Sequence, residues 1–208
     1  ANALLDQVGL DQRDGSGFRT LPNGDPLVLV LEYTNLFDNW TDVIELVERY
    51  WREVGLNVLL KNQSRGLLIE RMHANEHQIG VWTQPGLSPL FNNWWFFPNV
   101  FYSRWAPDIG VWYASNGESG TEPPENLAKL LDLWDEIQVT PEVEAQNRLI
   151  RQAIDLHAEN VWLIGTAGNL PKPIIVSNRM RNVPDNLVFD NSLGCPRNAD
   201  NEMFFIRE

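Results

Sequence analysis

The chain has 208 residues, room for one sizeable domain or one plus a small lobe, and its 43% hydrophobic and 21% charged content excludes wholesale disorder. A net charge of −12, with 16 scattered Lys and Arg, excludes nucleic acid as a partner, because a polyanion needs clustered cations. The single cysteine, Cys195, excludes an internal disulfide and a cysteine-based zinc site, and no apolar run approaches the roughly 20 residues that span a bilayer.

Ala3 to Gly9 reads as a short helix ending at glycine. Its phrase, ANALLDQVGL, lacks the features of a signal peptide, so the sequence reads as a mature or excised segment. Phe18 to Leu21, the turn Pro22-Asn23-Gly24-Asp25, and Leu27 to Tyr33 predict a β-hairpin, because Asn-Gly readily takes positive φ. Asn39 is placed to cap a helix that runs to Val54 and stops at Gly55. Trp40, Val43, Ile44, Val47, Tyr50, Trp51 and Val54 keep its helical period. A strand from Asn57 to Lys61, a helix from about Ser64 to Asn75 and a strand from Gln78 to Trp82 follow. This β-α-β-α-β succession implies right-handed crossovers on a largely buried sheet.

From Thr83 to Glu122 the sequence is rich in Pro, Gly, Asn and aromatics, with a brief helix near Asp108 to Ala114. So long an irregular stretch inside a compact domain is usually functional or a lid. Residues 92–105 read NNWWFFPNVFYSRW, seven aromatic rings in fourteen positions. Neighbours in a helix or strand diverge, so adjacent Trp-Trp-Phe-Phe cannot all face the core. Trp offers a flat apolar face and an N–H donor, and Asn92 and Asn93 add amides, which together suit a ligand with apolar and polar surfaces.

Pro123-Pro124 opens a helix with Leu127, Leu130, Leu131, Trp134 and Ile137 on one face. Thr140 is read as the cap of a second helix, with Pro141 in its first turn and Leu149, Ile150, Ala153, Ile154 and His157 on its apolar side. His157 there reads as a hydrogen-bonded core or boundary histidine. Strands are predicted at Val161 to Thr166, Pro173 to Val176 and Met203 to Arg207. The fold class is α/β (mixed α+β), a mixed sheet flanked by helices.

His73-Ala74-Asn75-Glu76-His77 matches the H-x-x-E-H pattern of the inverted zinc peptidases. Two histidines four apart on a helix share a face and could grip a metal, with Glu76 as general base. The motif nevertheless falls at a helix end with a strand starting at once, so a zinc-dependent hydrolase on His73, Glu76 and His77 is the alternative and not the main reading. The chain lacks a G-x-S-x-G elbow, a P-loop and a G-x-G-x-x-G turn, and nothing supplies a base for Cys195. No catalytic residue, cofactor or metal is expected.

Five phrases in order resemble the family 5 extracellular solute-binding proteins of ABC importers, the group of oligopeptide, dipeptide, nickel and cello-oligosaccharide binding proteins. They are ANALLDQVGLDQRDGSGFRTLPNGDPLVLVLEY, DVIELVERYWREVGLNV, ERMHANEHQIGVW, EPPENLAKLLDLWDEIQVTPEVEAQNRLIRQAIDLHAENVWLIGT and NRMRNVPDN. The resemblance implies that residues 1–208 form a single lobe, the C-terminal lobe of a type II periplasmic-binding-protein-like fold. Residues 1–82 would be its β-α-β-α-β part, 83–122 an aromatic-rich cleft loop, and 123–208 a helical pair plus closing strands. It further implies a missing N-terminal lobe of the same protein, ABC importer membrane subunits as partners, and a small-molecule solute, oligosaccharide or oligopeptide. The location implied is extracytoplasmic, periplasmic or as a cell-surface lipoprotein.

Peptide-binding members carry an Asp just after the strand matching Ile79 to Trp82, where it pairs with the peptide's α-amino group. Here the segment is Trp82-Thr83-Gln84-Pro85-Gly86, with Gln84 or Pro85 in the place of that acid. A buried ammonium without a carboxylate is costly, so the tryptophans suit a sugar better, its C–H faces against rings and its hydroxyls against amides. The candidates for the cleft face are Trp82, Gln84, Asn93, Trp94 and Trp95. A further alternative makes the aromatic loop a protein-docking surface.

Overall fold

The computed structural model describes residues 1–36, 40–83, 90, 92–166, 173–188 and 199–207. Asn39, Gln84, Pro85, Gly86 and Cys195, on which a helix cap, a cleft candidate, its neighbours and the thiol rest, lie outside the described residues. The chain divides into two compact units, Ala1–Thr83 with Pro98–Pro123, and Gln84–Phe97 with Pro124–Glu208.

In the first unit the apolar phrase VLVLEY becomes β1 (Val28–Tyr33), the centre of a parallel sheet ordered β2-β1-β3, with β2 at Asn57–Asn62 and β3 at Ile79–Gly80. A central parallel strand is covered on both faces, which is why it reads as a nearly continuous apolar run. Leu31 and Tyr33 pack with Val58 of β2 and with Ile44 of α2 (Trp40–Glu53), and Trp51, Leu60 and Ile79 close around them. Each buried aliphatic side chain contributes about 1.5–3 kcal/mol. Only part of the α2 stripe is used, since Ile44 is buried while Val43 and Tyr50 stay exposed. α3 (Arg65–His73) starts after Ser64, whose Oγ accepts from the Leu67 N–H at 3.4 Å, and it buries Leu68 and Met72. β3 is shorter than predicted, though the Val81 N–H still donates to the Glu32 carbonyl at 3.0 Å.

The predicted hairpin shrinks to a bridge between Thr20 and Pro26, closed by a turn in which Gly24 stands at φ +87°. A central strand has two edges, and β2 pairs along all of one while β3 takes the other at Leu31 and Glu32. α1 (Asn2–Gln7) is held through Arg19, 2% exposed, which donates to Asp6 Oδ1 at 2.6 Å, Asn2 Oδ1 at 2.7 Å, the Val54 carbonyl at 2.8 Å, and the Leu10 carbonyl. This unit also holds α4 (Pro107–Ala114), whose buried Gly110 lies so close to the Val100 carbonyl that a Cβ would stand 2.0 Å from its oxygen.

The second unit is built on α5 (Glu125–Val139) and α6 (Val143–Asn160). Leu127, Leu130, Leu131, Trp134 and Ile137 of α5 are buried as predicted, together with Leu133. On α6 the buried residues are Leu149, Ile150, Ala153 and Leu156, while Ile154 is exposed. Thr140 does not cap α6. Its Oγ1 donates to the Glu136 carbonyl at 2.7 Å and closes α5, and Glu142 precedes α6 instead. Thr140 is extended at ψ 109°, as the residue before a proline is, and its hydroxyl is turned back to α5.

Two predicted strands do not form. α6 ends at Val161 with φ +51°, and neither Val161 to Thr166 nor Pro173 to Val176 enters a sheet. The third prediction survives as β5 (Phe205–Ile206), paired antiparallel with β4 (Met180–Arg181). An apolar run supplies side chains, but a strand also needs a neighbouring backbone edge.

Candidate functional site

In an open parallel sheet, ligands gather outside the carboxyl ends of the strands. Here that edge carries Tyr33 and Thr34, both buried, then Gln63, whose N–H donates to the Tyr33 carbonyl at 2.9 Å, and Trp82. α2 and α3 both begin at this edge, so their positive dipole ends lie beside it.

Trp82, a predicted cleft residue, is half-buried among three side chains. Trp40 at the start of α2 meets it edge to face, with ring centroids 5.9 Å apart and planes at 81°. The Arg104 guanidinium stacks 4.5 Å from the ring centroid, and that of Arg65, first residue of α3, lies at 5.7 Å. Such contacts draw a cation to the negative face of the indole. The Arg104 Nη1 also points at Met72 Sδ, 4.0 Å away. Burial, and then the like charge of Arg65, push the Arg104 pKa down from its ordinary value.

Sequence reasoning missed both arginines and placed Trp40 on the apolar stripe of α2, where it packs against the core and also meets Trp82. One signal was present, for Arg104 is the single Lys or Arg between Arg71 and Lys129. A lone cation in so aromatic a stretch needs a reason.

The other predicted tryptophans belong to the second unit. Asn93, Trp94 and Trp95 form one 3-10 turn, which brings the indoles of Trp94 and Trp95 into a stack at 4.6 Å and 28°. Trp95 is buried and Trp94 half-buried. Phe97, fully buried, lies 4.9 Å from Trp134, and Phe96 meets His157 edge-on. Past the proline, Phe101 is 62% exposed and set edge-on to Tyr102. The stretch is therefore divided, with Trp95 and Phe97 as anchors and Trp94, Phe101 and Tyr102 reaching solvent. His157 is the hydrogen-bonded boundary residue the pattern predicts, its Nε2–H donating to the Phe96 carbonyl at 2.7 Å.

The HANEH motif does not assemble a metal centre. α3 ends at His73, and Asn75 turns the chain at φ +54°, so the two histidines share no helical face. Glu76 is held by Arg71 at 2.9 Å, and Asn75 Nδ2 donates to Asp108 at 3.0 Å. Burial pushes the pKa of both His73 and His77 down. Among the described residues no group of three or more His, Cys, Asp or Glu side chains stands where it could hold a metal ion.

Arg71 also closes on Glu32, 2% exposed and next to last in β1, with Nε 2.8 Å from Oε2 and Nη2 2.9 Å from Oε1. Lys61 stands 3.6 Å away, and Gln63 Nε2 donates to the same carboxylate. The hydrogen bonds from Arg71 hold the Glu32 carboxyl below the usual range, against the opposing effect of burial. This cluster fixes α3 to the sheet beneath the carboxyl edge.

No protein-family model matches the chain, and no curated protein does. Solved structures do. An oligopeptide-binding protein, OppA, is 34% identical at a TM-score of 0.77, with 100% of this chain and 35% of that one covered. The periplasmic binding protein MelB from Agrobacterium fabrum, in complex with stachyose, is 16% identical at 0.62, covering 77% of this chain and 24% of its own. NikA from Brucella suis, in complex with Fe(III)-EDTA, is 18% identical at 0.58, covering 76% and 29%. The chain thus spans about a third or less of the length of the structures it matches. Its fold is that of part of a periplasmic binding protein, and the matched proteins are binders, not enzymes.

Proposed function

We propose that this chain, which belongs to the family 5 extracellular solute-binding proteins, forms one wall of a ligand cleft in a protein that delivers solute to an ABC importer. It acts as the C-terminal lobe, and an N-terminal lobe of the same protein supplies the opposite wall. Importer membrane subunits receive the loaded protein outside the cytoplasm. The observation that carries this reading is the carboxyl edge of the parallel sheet, where Trp82, with Trp40 and two guanidiniums around it, stands at the place an open sheet offers to ligands. No helix among the described residues is long and apolar enough to cross a membrane.

The solute is an oligosaccharide or an oligopeptide, and Trp82, Gln84, Asn93, Trp94 and Trp95 are the residues proposed to meet it. The half-exposed Trp94 supports a stacking role, because its partner Trp95 fixes the orientation of one indole face. The test is a thermal-shift screen of the protein against short peptides and oligosaccharides, since a ligand of the native state raises Tm by mass action. A reproducible shift with one class is the expected result. A flat response across both, at concentrations that saturate ordinary binding proteins, overturns the reading.

A further inference from the structure

We infer that His77 is a positioning residue, a latch that holds the Arg104 backbone in place beside Trp82 while its ring is neutral and lets it go when the ring is protonated. The inference rests on the proposed reading of Trp82 as part of the solute wall and deepens it. The His77 ring is half-buried and hydrogen-bonded to the backbone of Arg104, while its Nδ1, also buried, has no hydrogen-bond partner among the described residues. Nε2–H is therefore the donor and the Arg104 carbonyl the acceptor, which fixes the neutral tautomer. From that anchored backbone the Arg104 guanidinium reaches the face of Trp82, 4.5 Å from the ring centroid, with Nη1 4.0 Å from Met72 Sδ. The imidazole has little room to turn where it stands. A Cβ on Gly80 would lie 2.9 Å from His77 Cδ2 and 2.3 Å from Met72 Cε, so ring, thioether and glycine already fill that space.

Protonation upsets this arrangement. It makes Nδ1 a buried donor without an acceptor, and it places a charge where burial opposes one. Two charged groups face the ring. Arg71 of α3 repels an imidazolium, and Glu32 of β1 attracts it but already accepts from Arg71 and Gln63. Glu76, the preceding residue, is paired with Arg71. Swinging towards solvent relieves the charged ring and breaks its bond to Arg104. Burial pushes the folded pKa of His77 down, so the latch is closed above about pH 6.5 and opens as pH falls below that. The nearer guanidinium then loses its fixed place on Trp82, and the solute wall becomes pH-dependent.

The experiment follows isotope-labelled tryptophan and histidine side chains by NMR from about pH 7.5 to about pH 4.5, above the carboxyl pKa of about 4.3, so that Glu32 stays charged. The Trp82 indole N–H signal, identified by its loss in Trp82→Phe, is expected to move with the midpoint of the His77 ring. In His77→Gln, whose amide keeps a donor for the Arg104 carbonyl without titrating, it is expected to stay still. His73→Gln, which removes the other histidine near Arg104, is expected to leave the movement intact. A Trp82 signal that does not move, that follows a midpoint other than that of His77, or that still moves in His77→Gln overturns the latch. The comparison of midpoints needs only the unaltered protein and decides the matter even if His77→Gln fails to fold. No solute enters this measurement, so its failure leaves the solute-binding reading standing, and that reading fails separately in the thermal-shift screen.

Discussion

Arg71 grips Glu32 with two parallel hydrogen bonds, 2.8 Å and 2.9 Å long, that tie α3 to the carboxyl end of the central strand. Removing one partner strands the other, so the pair is expected to behave asymmetrically. Arg71→Met leaves a carboxylate, 2% exposed, without its main donor and should lower the urea midpoint clearly. The double change of Glu32→Met with Arg71→Met should recover much of that loss, because two apolar side chains need no partners. A double variant less stable than Arg71→Met alone would contradict this account.

The same pair sets an acid limit. The Glu32 pKa lies below its ordinary value because the Arg71 hydrogen bonds favour the charged form. Its contribution to stability is therefore complete above the unfolded carboxyl pKa of about 4.3 and is lost as pH falls through the lower folded value. Thermal melts should show Tm falling below about pH 4.3, with a shallower fall in the double Met variant.

Gly110 shows how α4 is seated. A Cβ there would stand 2.0 Å from the Val100 carbonyl oxygen, a backbone atom that cannot swing aside. Gly110→Ala should raise helix propensity yet destabilise by about 1–3 kcal/mol, because overpacking outweighs propensity. Chemical denaturation measures the sign directly, and a stabilised variant would show that the helix shifts without cost.

Legibility in the sequence followed how local each signal was. The parallel β-α-β-α-β part was readable because VLVLEY is apolar at every position but Glu32 and Gly55, at φ +90°, stops α2 where a glycine stood. The buried face of α5 was readable from its period alone. Of the three strands predicted after α6 one formed among the described residues and two did not, because pairing depends on an edge far along the chain, as Phe205 depends on Arg181. Thr140 misled because a hydroxyl between two helices can serve either, and here it closes α5 while α6 starts only at Val143. The sequence singled out Trp82 and the Trp94–Trp95 step as cleft candidates, while the grouping of Arg65 and Arg104 about Trp82 became visible only through the fold that brings positions 65, 82 and 104 together.

His157 makes the second unit sensitive to mild acid. Burial pushes its pKa down, and its hydrogen bond to the Phe96 carbonyl offsets only part of that effect. The unfolded chain takes up a proton near pH 6.5 and the folded one only lower, so stability falls as pH drops below about 6.5. His157→Gln keeps a donor for the Phe96 carbonyl without titrating. Its Tm should change less between about pH 7 and about pH 5, a range that brackets the unfolded histidine pKa of about 6.5, than that of the unaltered protein. Parallel curves would assign the sensitivity elsewhere, to His73 or His77, whose pKa values are also depressed by burial.

Trp94 and Trp95 sit side by side and should nevertheless fail in different ways. Trp95 is 6% exposed, so Trp95→Ala opens a large hole and should cost about 3–5 kcal/mol of stability. Trp94 keeps an accessible surface while leaning on Trp95 at 4.6 Å, so Trp94→Ala should cost about 1 kcal/mol, mostly the lost stack. If Trp94 meets the solute as proposed, its removal should instead weaken binding by roughly tenfold, the worth of one good ring contact. Urea titration and calorimetry on the same two variants separate the effects. A Trp94→Ala protein that binds its solute with unchanged affinity would place Trp94 outside the ligand wall and leave Trp82 to carry the aromatic contact.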